Sequence, residues 1–304
     1  MEIKIQSKIH KGISVIAISL ISFFGLEALV YIRNLYDPDV YGQTNVYAIA
    51  SGIVYLFLVI WLHFIFDLHF KDREHLSAKS LGHSLWRRFK HFMVWEHFRY
   101  FQNFMILPGL LFWGSVVLIG INFGHFKLQQ FIAVVTSVAL VISYSLFKEV
   151  FHQKDLPVED NHFVLLTYIK VYASWLVYAG AFGIVVYYGF KPAVFYVTVF
   201  LVTMMLLYQA LFQFCRITLQ NIGFAVLISC ALTLIAVLVY HNWNVNYFSA
   251  GLFMTAFYNY LWGMLYHTIK KNLTWRRFYE QTALFFLIVV MVFGVTDFKA
   301  RIDS

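Results

Sequence analysis

The sequence predicts an all-α fold: a polytopic transmembrane helix bundle of eight or nine spans, with an inner-side amphipathic interfacial helix. Three features of its 304 residues lead there. The chain is 61% hydrophobic and 12% charged, whereas a soluble domain is about half apolar and about a quarter charged. Its apolar residues gather in runs of about 20, the length a helix needs to cross hydrocarbon. Its basic residues, which give a net charge of +8, crowd into alternate connections.

The first run, 13–32, follows Lys4, Lys8 and Lys11. That start resembles a signal peptide, but the run is too long for one and no small-residue cleavage site follows, so it reads as a retained first helix. The second run is 46–66. The one large connection, 67–103, reads as a cytoplasmic loop. The third run, 104–122, carries Pro108 about one turn in, where it can kink the helix. The fourth is 129–147. The fifth and sixth, 164–187 and 192–213, are joined by Tyr188-Gly189-Phe190-Lys191-Pro192, a glycine that ends one helix and a proline that opens the next. The short segment Phe214–Gln220 leads to the seventh, 222–240, so these three are expected to be antiparallel neighbours. The eighth, 248–267, and ninth, 281–297, complete a single transmembrane domain over 1–304. The ninth is the shortest. It decides whether the C-terminus lies outside (nine spans) or inside (eight).

With the N-terminus placed inside, the inner segments hold 18 of the 23 lysines and arginines and the outer side holds 5. This asymmetry is the one that orients helices in a cytoplasmic-type membrane.

The stretch HSLWRRFKHFMVWEHFRYFQNF, residues 83–104, projects as an amphipathic helix over 85–100. Leu85, Trp86, Phe89, Phe92, Met93 and Tyr100 share one face; Arg87, Arg88, His91 and Arg99 share the other. A basic face with aromatics opposite is the pattern of a helix lying in the headgroup layer. Trp86, Arg87, Arg88, Phe89 and Arg99 are its lipid-interface residues. Glu96 breaks the apolar face, so the helix either pairs there or bends before the third span. Nucleic acid also attracts interleaved basic and aromatic residues, but no nucleic-acid-binding module is present. WRRF recurs at 86–89 and 275–278, as two inner-side basic-aromatic anchors.

WLHFIFDLHFKDREH, residues 61–75, places His63 and Asp67 four apart on one helix face. That spacing suits two ligands of one metal, and His267 lies at a similar predicted depth. The competing reading is that inner-side histidines and aromatics are interface residues. Ionisable groups within spans are functional candidates because burying them in lipid is costly. Glu27 lies in the outer part of the first span, too short to reach the headgroups. Lys170, near the inner end of the fifth, is long enough to snorkel there. Gln209, Gln213 and Asn259 are neutral polar groups suited to interhelical hydrogen bonds. Ala48/Gly52, Gly120/Gly124 and Ala179/Gly183 have the small-residue spacing of close helix contacts. Cys215 and Cys230 have no ligand or disulfide spacing and read as packing residues.

Motifs for phosphate loops, dinucleotide binding, zinc hydrolases and serine hydrolases are absent, as are the histidine boxes of membrane desaturases, and no cofactor is indicated. Three functions fit. The first is an integral membrane subunit of a transport or export system. The second is a membrane-embedded enzyme acting on a lipid or isoprenoid at the inner leaflet. The third is a membrane scaffold or assembly subunit. The expected partners are the lipid bilayer and a soluble or membrane partner subunit, and not nucleic acid.

Overall fold

The structure is a computed structural model that describes residues 2–35, 43–60, 95–152, 160–214, 218–242 and 246–296. All regular structure among the described residues is helical. The elements are α1 (Glu2–Leu35), α2 (Gln43–Ile60), α3 (Trp95–Ile121), α4 (Phe126–His152), α5 (Asp160–Tyr188), α6 (Pro192–Phe214), α7 (Leu219–Asn242), α8 (Tyr247–Ile269) and α9 (Trp275–Val295). Each coincides with one predicted apolar run. Six stretches are long and apolar enough to cross a membrane: Val15–Leu35, Phe126–Phe147, Val164–Tyr188, Pro192–Phe212, Leu219–Asn242 and Trp275–Gly294. Asn45–Val59 and Met105–Ile121 are shorter apolar stretches. The 23-residue α8 is not among the six; tyrosine, tryptophan, asparagine and serine occupy many of its positions.

The chain forms two compact units. One comprises 1–112 and 122–156, the other 113–121 and 157–304. In the first, α1 packs on α4 and α2. Its core is aliphatic, with Leu26, Leu29 and Val30 of α1, Leu58 of α2 and Ile132 of α4 buried. In the second, α5 and α8 make the most extensive pair, α6 packs on α5 and α7, and α9 packs on α8. α9 rests there by one edge: Phe285 meets Phe257 and Tyr260 at 4.7 and 5.0 Å between ring centroids. Leu287, Val290 and Met291 of α9 are exposed, as lipid-facing residues would be.

The turns follow their sequence signals. Gly189 takes φ +60° and its N–H bonds Val185 O at 3.0 Å, closing α5. Pro192 opens α6 three residues on. Asn246 caps α8, its side chain accepting from Phe248 N at 2.9 Å, and Thr274 caps α9.

Of the three small-residue pairs, Ala179/Gly183 makes the expected approach. A Cβ on Gly251 of α8 would sit 2.6 Å from the Ala179 backbone nitrogen, so the α5 and α8 backbones touch there. Gly183 lies against Ile121 and Tyr247. Gly52 faces open space, and Gly124, at φ +80°, belongs to the turn after α3 rather than to a helix face. Cys230 is exposed on α7 rather than packed.

Three helices, α1, α3 and α9, begin well before their apolar runs. α3 runs unbroken from Trp95, through Pro108, to Ile121. Residues 95–100, the end of the predicted interfacial helix, therefore belong to the same helix as the third apolar run, with Glu96 in its first turn, while residues 85–94 lie outside the described residues. α9 starts at Trp275, so the second WRRF is its first turn.

Candidate functional site

The polar residues inside the apolar helices form two groups, one in each unit.

In the first unit, α1 and α4 are joined by side-chain amides. Gln130 Nε2 donates to Glu27 Oε1 at 2.6 Å. Asn34 Nδ2 donates to Gln129 Oε1 and to Val30 O. Glu27 and Asn34 are seven residues apart and share a face of α1. The second carboxyl oxygen of Glu27 is buried, with no hydrogen-bond partner among the described residues. Arg33 is buried, its guanidinium 5.2 Å from the Phe123 ring centroid and 5.9 Å from that of Tyr47. Glu27 is thus an interhelical bonding group with one oxygen left over.

In the second unit, polar groups follow the contact of α5, α6 and α8. Thr203 Oγ1 donates to Val199 O at 2.7 Å, within its own helix. That uses the hydroxyl's single proton, so Tyr178 is the donor in its 2.8 Å contact with Thr203 Oγ1. The Tyr178 ring meets Tyr258 of α8 edge-on at 6.5 Å, and the Tyr258 hydroxyl is buried with no hydrogen-bond partner among the described residues. Ser174 lies 3.5 Å from Thr255, which bonds Gly251 O within α8.

Beyond this level lie Lys170, Trp262 and Gln209. Phe182 against Phe195 and Tyr178 against Thr203 show α5 and α6 antiparallel. Ala179 against Gly251 and Lys170 against Trp262 show the same for α5 and α8. At 1.5 Å per residue, Lys170 lies about 12 Å from Tyr178, Gln209 about 9 Å from Thr203 and Trp262 about 6 Å from Tyr258, all towards the same end. The three occupy one depth band.

Lys170 is 2% exposed and its Nζ lies 5.6 Å from the Trp262 ring centroid. Its side chain turns into the unit and does not snorkel along an outer face. The indole face offers the ammonium a partner there. Gln209 is 0% exposed, and neither amide atom has a hydrogen-bond partner among the described residues. Asn259 is half-buried on α8. Gln213 lies in the last turn of α6, its side chain outside the described residues.

His63 and Asp67 lie outside the described residues, as do Trp86, Arg87, Arg88 and Phe89; Arg99 lies in α3, its side chain likewise outside them. His267 Nδ1–H donates to Asn272 Oδ1 at 2.9 Å, which ties the ring to the turn after α8. Among the described residues no three His, Cys, Asp or Glu side chains come together as a metal site.

Sequence reasoning missed Tyr178, Tyr258, Thr203 and Trp262. The only signal for them was their place within spans, which they share with many aromatic and hydroxyl residues that merely pack. No family model, curated protein or solved structure matches the chain.

Proposed function

We propose that this chain is an integral membrane subunit of a transport or export system, and that the Lys170–Gln209 level of the second unit contacts its cargo. In the proposed arrangement all nine helices span a cytoplasmic-type membrane, with the N-terminus inside and residues 85–100 at the inner surface.

Gln209 carries the reading. An amide with both atoms buried and unbonded costs roughly 1–3 kcal/mol, and in lipid no bulk water relieves it. A partner able both to accept and to donate would satisfy it, and a polar solute passing through or held in the unit is such a partner. Lys170 adds a positive charge at the same depth, which favours a cargo with an anionic group, such as a carboxylate. A scaffold has no need of either group. The membrane-enzyme reading rests on the His63, Asp67 and His267 grouping; metal analysis of the purified protein tests it directly.

The test is photocrosslinking in cells from a diazirine analogue of leucine at position 206, where leucine is native and buried one turn from Gln209 on the same face of α6, so that the amide is kept. A covalent adduct with a small solute or a cargo peptide supports the proposal. Crosslinks confined to the chain itself, with water insertion as the only other product, remove it and leave the scaffold reading.

A further inference from the structure

The turn between α8 and α9 combines charge, aromatic exposure and local order in a way that packing does not require. From Lys270 to Glu280 the chain carries four basic residues, Lys270, Lys271, Arg276 and Arg277, against one acidic residue, Glu280. Glu280 is engaged by Arg276 at 2.9 Å within the helix. Lys270 lies over the Tyr266 ring, its Nζ 4.8 Å from the centroid. Lys271 is exposed.

The backbone here is held tightly. Asn272 N–H bonds His267 O at 3.1 Å and Lys271 N–H bonds Thr268 O at 3.0 Å, the paired closure that ends a helix when the next residue turns left-handed. That left-handed residue is Lys271, at φ +53°, among the described residues the one non-glycine with positive φ. Glycine is the usual occupant of such a position, since any Cβ there carries a steric cost. The Arg277 Nη1 donates to Asn272 O at 2.9 Å, which folds its guanidinium back beside the Asn272–Leu273 peptide, next to Lys271. Two cations are therefore presented together on a fixed turn.

The aromatic residues give the surface its depth. Trp275 is 76% exposed and Tyr279 63% exposed, and Trp275 begins a 20-residue stretch apolar enough to cross a membrane. Exposed tryptophan and tyrosine at the end of a span occupy the headgroup boundary. Cations one turn or less from that boundary meet lipid phosphates.

We propose that the α8–α9 turn is a binding site for the phosphate headgroup of an anionic phospholipid, with Lys271 and Arg277 as its cations and Trp275 as its anchor at the boundary. The site does not depend on the transport reading.

The experiment uses the full chain in nanodiscs of phosphatidylcholine containing a minor fraction of phosphatidylglycerol. Quenching of Trp275 is read as the difference between the wild-type protein and W275F, with bromines placed either on the phosphatidylglycerol or on an equal fraction of phosphatidylcholine. Brominated phosphatidylglycerol is expected to quench more strongly. K271G removes one charge while placing glycine where the backbone favours it, so the fold is retained. It should weaken the preference about fivefold, the factor given by roughly 1 kcal/mol per basic residue near an anionic surface. Adding R277Q should abolish it. Equal quenching by the two brominated lipids would overturn the proposal, and so would a preference unchanged in K271G/R277Q. Loss of the preference on adding inorganic phosphate, but not chloride at equal ionic strength, would also overturn it, because the site would then be one for the free anion.

Discussion

Gln209→Leu separates an amide that serves a ligand from one that serves the fold. Leucine fills a similar volume and carries no polar atom. If Gln209 has no partner in the protein, the substitution removes a buried, unsatisfied donor and acceptor and leaves no new orphan behind. The relief is of the order of the desolvation penalty, roughly 1–3 kcal/mol. In a thermal unfolding measurement in mild detergent, with no cargo present, Q209L should unfold at or above the wild-type temperature. The rise should be about 2–4 °C for each kcal/mol, the scale of somewhat smaller proteins. Gln209→Ala should instead fall below wild type, because it leaves a cavity in a fully buried position. The expected order is leucine, then wild type, then alanine. In cells Q209L should be folded and inactive. A Q209L protein destabilised by more than about 1 kcal/mol would refute the reasoning: some protein group would then have lost its bond to the amide.

Gly251→Ala should destabilise the second unit at the upper end of the overpacking range, about 3 kcal/mol, because its methyl would meet Ala179 backbone rather than a flexible side chain; a neutral result in the same unfolding assay contradicts the α5–α8 contact. Gln130→Leu removes the donor to Glu27 and should cost about 1–3 kcal/mol, with Glu27→Leu partly restoring stability in the double variant, and additive losses would show that the pair does not interact. Cysteine labelling from either side of the membrane should place 67–103 inside and 241–247 outside; outside labelling of 67–103 reverses the orientation. If His63 and Asp67 hold a metal, His63→Ala should remove a stoichiometric ion from the pure protein, and an ion-free wild-type protein ends that idea.

Helix positions were legible because a backbone in lipid must bond internally, so each apolar run of sufficient length becomes a helix. Helix ends were less legible. The i to i−4 bonding that makes a helix does not stop where hydropathy stops, so α3 extends back to Trp95 through Glu96 and Arg99, and α9 to Trp275 through Arg276 and Arg277. Small-residue spacing failed at Gly124 for a related reason: the same glycine that lets helices approach also permits the left-handed turn, and here the turn took it. Lys170 is buried rather than snorkelling, a difference the sequence does not resolve because its long stem permits either. The fold puts the Trp262 ring, from a helix about 90 positions along the chain, beside its ammonium.

The polar residues of the spans divide by who satisfies them, and this division carries the functional argument. Hydroxyls such as Ser22, Ser143 and Ser229 donate to the carbonyl four residues back in their own helix, which makes them nearly silent in lipid. Glu27, through one carboxyl oxygen, with Gln130 and Tyr178 with Thr203 bond across helices, so they fix pairing and register, although the other Glu27 oxygen meets no partner among the described residues. Gln209 and the Tyr258 hydroxyl belong to neither class. A sequence cannot make this distinction: Gln129, Gln130 and Gln209 look alike in it, each a glutamine at or within an apolar run. Geometry separates them, because the first two meet partners on α1 and the third meets none among the described residues. A group that neither its own helix nor its neighbour satisfies is the one whose burial calls for something from outside the fold. That is why the second unit, and within it the depth shared by Gln209 and Lys170, is where cargo contact is proposed.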